Sequence, residues 1–581
     1  MPPLKRLLGY LLRYRGRLGL GFLCLLGSAG FSLAKPLIVG NAVDVLQTDY
    51  TQQTLVWFGL LYVAVAAVQG AFLYLQRLLI IGASRHIEYD LRNDFYGHLQ
   101  ELPTKFHEVN RTGDLMSRAT NDLSAVRMLV GPAIMHSATS IIVVIGAFIM
   151  MFRLDPVLAT ISLVTVPAIA LLAKIFGQRL HDRTRSVQDY FGDMSARVQE
   201  NLAGARVVRV FNQESNEIAL FRRMNREYVD RNRRLILLTA TFRPVLEMIV
   251  GIAFVAIFWI GSRRIVNDAM TLGAFVAFQF YLARMIWPLI AIGWVINLFQ
   301  RGMASMGRLS DIWNVAPEDE SARQAVLPAP APGVPEIEIR GLDFGYGSRD
   351  ALRGIDLRVE QGQTVGIVGR TGSGKSTLLS LILRIYEPPD RTIFVRGVPI
   401  EEIPSSDLRS ILATVPQETF LFSDTIAENI RFGRSDATDE EVMEVTALAG
   451  LSDDLSGFSR GIDTIVGERG ITLSGGQKQR TAIARAIVRD PEILILDDAL
   501  SAVDTQTEET ILRSLEKLRA GRTVLIVAHR VSSVKDADQI VVMEEGRIVE
   551  RGTHEELVAA GGFYADLYRM QTLEREIEGI A

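Results

Sequence analysis

The sequence predicts a protein in two parts: an all-α domain of six membrane spans, followed by an α/β domain of the strand–loop–helix type. Three observations predict it. The chain has 581 residues, 48% of them hydrophobic and 22% charged, and a mean hydropathy of +0.20. That average is too apolar for a uniformly soluble protein and points to two unlike halves. The long apolar stretches are confined to the first half. The second half carries a glycine-rich stretch, Gly369-Arg370-Thr371-Gly372-Ser373-Gly374-Lys375-Ser376-Thr377, between a short apolar run and a leucine-rich run. A net charge of −4 argues against nucleic acid as the main partner. The single cysteine, Cys24, leaves no internal disulfide and no cysteine-built zinc site.

The first span is expected at residues 18–46. Lys5, Arg6, Arg13, Arg15 and Arg17 precede it, as in a secretory signal peptide. The apolar character resumes past Pro36, however, so an uncleaved span is expected. Five more follow at 55–81, 129–152, 157–176, 235–260 and 272–299, each near or above the roughly 20 residues that a helix needs to cross a bilayer. Lysine and arginine set the orientation. Residues 47–53 have neither, and 153–156 have only Arg153. The connection between spans two and three carries Arg85, Arg92, Lys105, Arg111 and Arg118, and that between spans four and five is arginine-rich from Arg179 to Arg234. Both long connections, and both termini, are therefore expected on the cytoplasmic side of the plasma (inner) membrane. Arg263-Arg264, in the last outer turn, goes against this rule.

The long connections keep a helical rhythm, as at Leu180, Thr184, Val187, Met194, Val198 and Leu202. The spanning helices are thus expected to project beyond the bilayer and to turn near Asn110-Arg111-Thr112-Gly113 and Asn212-Gln213-Glu214-Ser215. Pro317, Pro328, Pro330, Pro332 and Pro335 mark a linker. The expected division is a membrane domain at 1–314, a linker at 315–335 and the α/β domain at 336–581.

Gly369 to Thr377 fit G-x-x-x-x-G-K-[ST] between a predicted strand and helix, the context this phosphate loop requires. The glycines let backbone N–H groups and a helix N-terminus face phosphate oxygens. Lys375 would reach the β- and γ-phosphates of a nucleotide, and the Ser376 hydroxyl would hold Mg²⁺. Residues 493–496 form an apolar run ending in Asp497-Asp498, and an acidic residue at the end of a buried strand suits Mg²⁺ held through water. Leu473-Ser474-Gly475-Gly476-Gln477 offers bare amides and a hydroxyl at a second helix start.

With this last stretch the chain resembles the ATP-binding cassette (ABC) transporter family, and within it the exporters with six spans fused ahead of one ATPase domain. The resemblance covers essentially the whole chain and implies ATP and Mg²⁺ as cofactors. Tyr346 matches the aromatic residue that stacks on adenine, and Gln417 the glutamine that senses Mg²⁺ and the attacking water. Gly467-Glu468-Arg469-Gly470 is similar to a segment that meets the coupling helices, and Asp504 lies in a match to the loop crossing the dimer interface. His529 matches the histidine on the γ-phosphate. Pro103, Phe106 and the stretch Thr112-Gly113-Asp114-Leu115 resemble the first intracellular loop.

In the family two chains sandwich two ATPs, each held between one P-loop and the other chain's signature, here Ser474, Gly475, Gly476 and Gln477. This chain departs from the pattern at Asp498, where the family has a glutamate base. An aspartate is set back by about an ångström or more, which can lower the rate on the order of 10²-fold. The resemblance thus implies the weakly hydrolytic half of a heterodimeric exporter; a homodimer that tolerates aspartate is the alternative. The implied substrates are amphipathic drugs, lipids or peptides. Arg243, Glu247, Arg284 and Asn297 fall within expected spans, where they are unfavourable unless they face a cavity or partner, and Glu247 would suit a cationic substrate. A gated channel or lipid flippase could share the fold, whereas a soluble cassette acting on DNA or ribosomes is excluded by the spans.

Overall fold

A computed structural model describes residues 2–48, 51–318, 320, 323–347, 349–467, 470, 472–499 and 521–580, and among these all side chains except those of residues 48, 164–174, 181, 243, 246, 249, 250, 253, 289, 290 and 574–580. By internal contact the chain divides into two units, Met1–Leu102 with Asn110–Ala316, and Pro103–Val109 with Pro317–Ala581.

The first unit is helical among its described residues. Its helices are α1 (Pro3–Arg13), α2 (Arg15–Thr48) and α3 (Gln52–Glu101), then, after α4 (Thr104–Val109) of the second unit, α5 (Thr112–Ser117), α6 (Leu123–Met128) and α7 (Ile134–Leu154). These are followed by α8 (Pro156–Ala203), α9 (Ala205–Val210), α10 (Glu214–Val266) and α11 (Leu272–Trp313). π-helical turns at Arg118–Asp122 and Leu129–Ala133, the second holding Pro132, join α5, α6 and α7 into one rod. Among the described residues, four helices are long and apolar enough to cross a membrane: Arg15–Gln47, Gln52–Glu101, Thr112–Leu154 and Leu272–Trp313. The spans expected at 157–176 and 235–260 fall on α8 and α10, whose side chains are described only in part. The longest helices outrun a bilayer. At 50 residues, α3 is about 75 Å long, against a hydrocarbon core of about 30 Å.

Two contacts organise this unit. Near the end of α2 and the start of α11 the backbones nearly touch: a Cβ on Gly273 would stand 2.0 Å from the Gly40 carbonyl oxygen. Asp44 clasps the approach, accepting from the Gly273 N–H at 2.7 Å and the Thr271 hydroxyl at 2.8 Å. Asp155, only 1% exposed, accepts from the N–H groups of Val157 (2.9 Å) and Leu158 (3.0 Å) and so caps α8. It also forms an ion pair with Arg264 at the end of α10. This accounts for one of the two arginines that broke the charge rule, because Arg264 is neutralised by Asp155 within the fold.

The second unit is α/β. Its six-stranded sheet has the order β10 (Arg547–Gly552), β9 (Gln539–Glu544), β3 (Thr364–Gly369), β8 (Thr523–Val527), β7 (Ile493–Asp497) and β6 (Leu412–Val415). All neighbours run parallel except β9 and β10. An antiparallel sheet of order β2 (Arg349–Val359), β1 (Ile337–Tyr346), β4 (Ile393–Val395), β5 (Val398–Pro399) covers one side. Alternation along the strands separates two cores. Ile493 and Ile495 of β7, with Leu525 and Val527 of β8, face the core of the antiparallel sheet, whereas Leu494, Leu496, Val524 and Ile526 face the helices. Every residue of β3 is buried, as expected of a parallel strand covered on both faces. The α4 segment belongs to this unit, where its Glu108 accepts a hydrogen bond from the Tyr386 hydroxyl at 2.5 Å.

Candidate nucleotide site

The P-loop is the turn between β3 and α12 (Lys375–Ile382). Its glycines are dictated by space and by dihedrals. A Cβ on Gly369 would lie 2.3 Å from the Met543 carbonyl oxygen of β9. Gly374 has φ +101°, and a Cβ there would meet Leu352 at 2.7 Å and the Ala351 oxygen at 2.9 Å. The Lys375 ammonium is buried and folds back to donate to the carbonyls of Gly369 (2.8 Å) and Arg370 (3.0 Å). Burial pulls its pKa down, and Asp497 and Asp498 oppose that shift.

Asp497 ends β7 at the mouth of the loop. Burial raises its pKa, and the Asp498 charge adds to the rise; a hydrogen bond from Ser376 and the charges of Lys375 and His529 act the other way. Asp498 has φ +47°, and its N–H donates to the Val527 carbonyl at 2.8 Å, which fixes its backbone to β8. Such a positive φ is rare but better tolerated by aspartate than by most residues. The Ser373 hydroxyl is buried without a hydrogen-bond partner among the described residues, an acceptor or donor in need of one.

A cleft of about 620 Å³ gathers Tyr346, Thr371, Gly372, Gly374, Lys375, Ser376, Thr377, Gln417, Asp497, Asp498 and His529. Tyr346 stands at its rim, with its hydroxyl donating to Thr377 at 3.4 Å and its ring edge-on to Tyr386 at 5.2 Å. A buried ammonium, bare loop amides, and a serine hydroxyl paired with a carboxylate are a donor set that fits a nucleoside triphosphate with Mg²⁺. Gly369, Arg370 and Ser373 belong to the same loop but do not line the cleft.

Ser474, Gly475, Gly476 and Gln477 do not line this cleft. They start a separate helix, α13 (Gly475–Ile487), through a capping box: the Ser474 hydroxyl accepts from the Gln477 N–H, and the Gln477 side chain accepts from the Ser474 N–H. Asp504, Glu468 and Arg469 lie outside the described residues, as does the side chain of Arg243. Glu247 and Asn297 are exposed on α10 and α11, and Arg284 of α11 donates to the Ser32 carbonyl of α2 at 2.8 Å. Sequence reasoning missed Arg349, Arg353, Glu545 and Gly546, which also line the cleft. Glu545-Gly546 is the two-residue turn between β9 and β10, with φ of +45° and +79°, and the Gly546 N–H donates to the Ser373 carbonyl at 3.1 Å. An acidic-residue–glycine pair between two strand patterns was the available signal.

A phosphate-loop ATPase domain carried behind long apolar helices defines a class, the membrane-bound nucleotide-driven machines. Residues 18–289 match the family described as ABC transporter transmembrane region, and residues 352–501 match the family described as ABC transporter. The chain is 38% identical to the probable multidrug resistance ABC transporter ATP-binding/permease protein YheI of Bacillus subtilis, over 99% of each chain. It is 38% identical to the multidrug resistance-like ATP-binding protein MdlA of Escherichia coli, over 95% of this chain and 93% of that one. It is 33% identical to an ATP-dependent lipid A-core flippase of Syntrophus aciditrophicus, over 99% and 95%. A solved structure of a bacterial Atm1-family ABC exporter with ATP bound superposes with a TM-score of 0.75 at 28% identity, over 96% of this chain and 98% of that one. The chain belongs to the ABC transporter family, as an exporter with fused transmembrane and ATPase domains. It spans the membrane, and its ATPase domain is cytoplasmic.

Proposed function

We propose that this chain is one half of a dimeric, six-span exporter that moves amphipathic molecules outward by alternating access, and that its partner is a different chain. The relatives, multidrug resistance proteins and a lipid flippase by name, support an amphipathic substrate. Tyr346 stacks on adenine, while Lys375 and the loop from Gly369 to Thr377 hold the phosphates. Ser376, Asp497 and Gln417 hold Mg²⁺, and His529 contacts the γ-phosphate. Ser474, Gly475, Gly476, Gln477 and Asp504 complete the partner's site. Binding draws the two cassettes together and hydrolysis releases them, so ATP biases a two-state element.

One observation carries the asymmetry. The residue after the Mg²⁺-binding Asp497 is Asp498, one methylene shorter than the glutamate expected of an efficient base, on a backbone anchored to Val527. The chain's own site is then a clamp first and a weak catalyst second, and the faster site is the partner's, closed by this chain's intact signature. The test is the ATPase rate of the purified chain alone and with a co-purifying partner. The rate is expected to be low alone and to rise with the partner. Robust turnover by the chain alone, undiminished by Asp498→Asn, would sink the proposal in favour of a competent homodimer.

A further inference from the structure

The membrane-spanning part of the first unit holds a pair of cations that the ATP site does not use. Proline has no N–H, so Pro36 within α2 leaves the Ser32 carbonyl without its helical donor. Arg284 of α11 supplies one, its Nη1 donating to the Ser32 oxygen at 2.8 Å and also to the Ser32 hydroxyl. The neighbouring Leu33 carbonyl accepts from the buried Tyr281 hydroxyl at 2.5 Å. Residues of α11 thus bond to the carbonyls beside Pro36 and hold the guanidinium in one place.

This grip occupies one of the three guanidinium nitrogens. Nε and Nη2 make no hydrogen bond among the described residues, and neither is buried. Lys35, the residue before Pro36, places its ammonium 5.6 Å from the centre of the Tyr62 ring on α3 and is close enough to Arg284 for their charges to repel. Neither Lys35 nor Arg284 forms an ion pair with a carboxylate among the described residues. Both sit in helices apolar enough to cross the membrane, where a lone cation is strongly disfavoured and a repelling pair more so. The proline carbonyl accounts for one nitrogen of Arg284, and the Tyr62 ring repays only a fraction of the desolvation of Lys35. A group with negative charge satisfies both, and the free edge of a guanidinium matches the paired oxygens of phosphate or carboxylate.

We propose that Lys35 and Arg284, with Tyr62 beside them, form a subsite for the anionic head group, phosphate monoester or carboxylate, of an amphipathic substrate. The inference rests on the export reading and narrows its substrate class, away from the cationic one that Glu247 alone would suggest. The test is equilibrium binding to the purified full-length dimer in nanodiscs of neutral lipid. The probes are three that share one tail: dodecyl phosphate, dodecanol and dodecyltrimethylammonium. The wild type is expected to bind the phosphate at least tenfold more tightly than the other two, and Lys35→Gln or Arg284→Gln to weaken the phosphate alone by about tenfold or more. Arg284→Gln also strips the Ser32 carbonyl of its donor, so Lys35→Gln, which disturbs no backbone group, is the deciding variant. Equal weakening of all three probes in Lys35→Gln, or wild-type preference for the cationic probe, would overturn the subsite. Dodecanoate in a parallel titration separates carboxylate from phosphate preference. Failure of the export reading is a different result: no ATP-dependent movement of any of these probes in proteoliposomes.

Discussion

Lengthening the side chain at 498 isolates the chemistry from the binding. In Asp498→Glu the backbone stays where the hydrogen bond to Val527 fixes it, so the added methylene carries the carboxylate forward by up to about 1.5 Å, one C–C bond. If the aspartate is set back from the attacking water by that amount, restoring the reach raises the hydrolysis rate on the order of 10²-fold, or about 2.7 kcal/mol in the barrier. A cost accompanies the gain. Residue 498 has φ +47°, a region that glutamate accepts less readily than aspartate, at about 1 kcal/mol of stability. That cost appears in the melting temperature and not in the single-turnover rate. The assay is single-turnover hydrolysis of radiolabelled ATP by the purified dimer, with nucleotide affinity measured alongside. An unchanged rate in Asp498→Glu at unchanged affinity would refute the set-back of the base.

Other residues give further expected outcomes. Arg264→Ala removes the counter-ion of Asp155, a carboxylate that is 1% exposed. Breaking a buried pair in this way is expected to destabilise by about 3–5 kcal/mol, read as a fall in thermal stability that Asp155→Asn in the same chain partly restores. Asp497 predicts a pH effect. Its folded pKa is raised above the unfolded value, chiefly by burial, so its contribution to stability is fully present below the unfolded carboxylate pKa and is lost as pH rises through the folded one. Asp497→Asn, always neutral, is therefore expected to melt higher than wild type near pH 7 without nucleotide, with the difference vanishing only below about pH 4; a difference independent of pH would argue against burial as the cause.

What the sequence made legible was local. The P-loop, the Asp497-Asp498 pair and the capped start of α13 are each written in a few consecutive residues, because phosphate binding needs consecutive N–H groups and a helix start. The cleft brings the first two together because parallel strands β3, β7 and β8 end at one edge, whereas the α13 start lies outside it. Glu545-Gly546 escaped notice because its role depends on β9 lying beside β3, a pairing of distant segments. The membrane half shows the same division. Long apolar runs announce spans, but the partners of Arg264 and Arg284, more than a hundred residues away along the chain, are not spelled locally.

The signature stretch shows most directly why one chain is not a finished machine. In Ser474 the hydroxyl oxygen already accepts from Gln477, and the Gln477 amide is spent on the Ser474 N–H and on Asp454, to which it donates at 2.9 Å. Arg480, one turn on, also donates to Asp454, at 2.6 Å. These internal bonds leave the Ser474 O–H without an acceptor among them, and the first N–H groups of α13 lie at the helix end, where the macrodipole is positive. Such a terminus stabilises an anion, yet it does not line the cleft of its own chain. A helix start with free phosphate donors that lies outside its own chain's cleft is suited to the cradle of a second chain. On the dimeric reading proposed above, the triphosphate that this helix end faces is the one held by the partner chain.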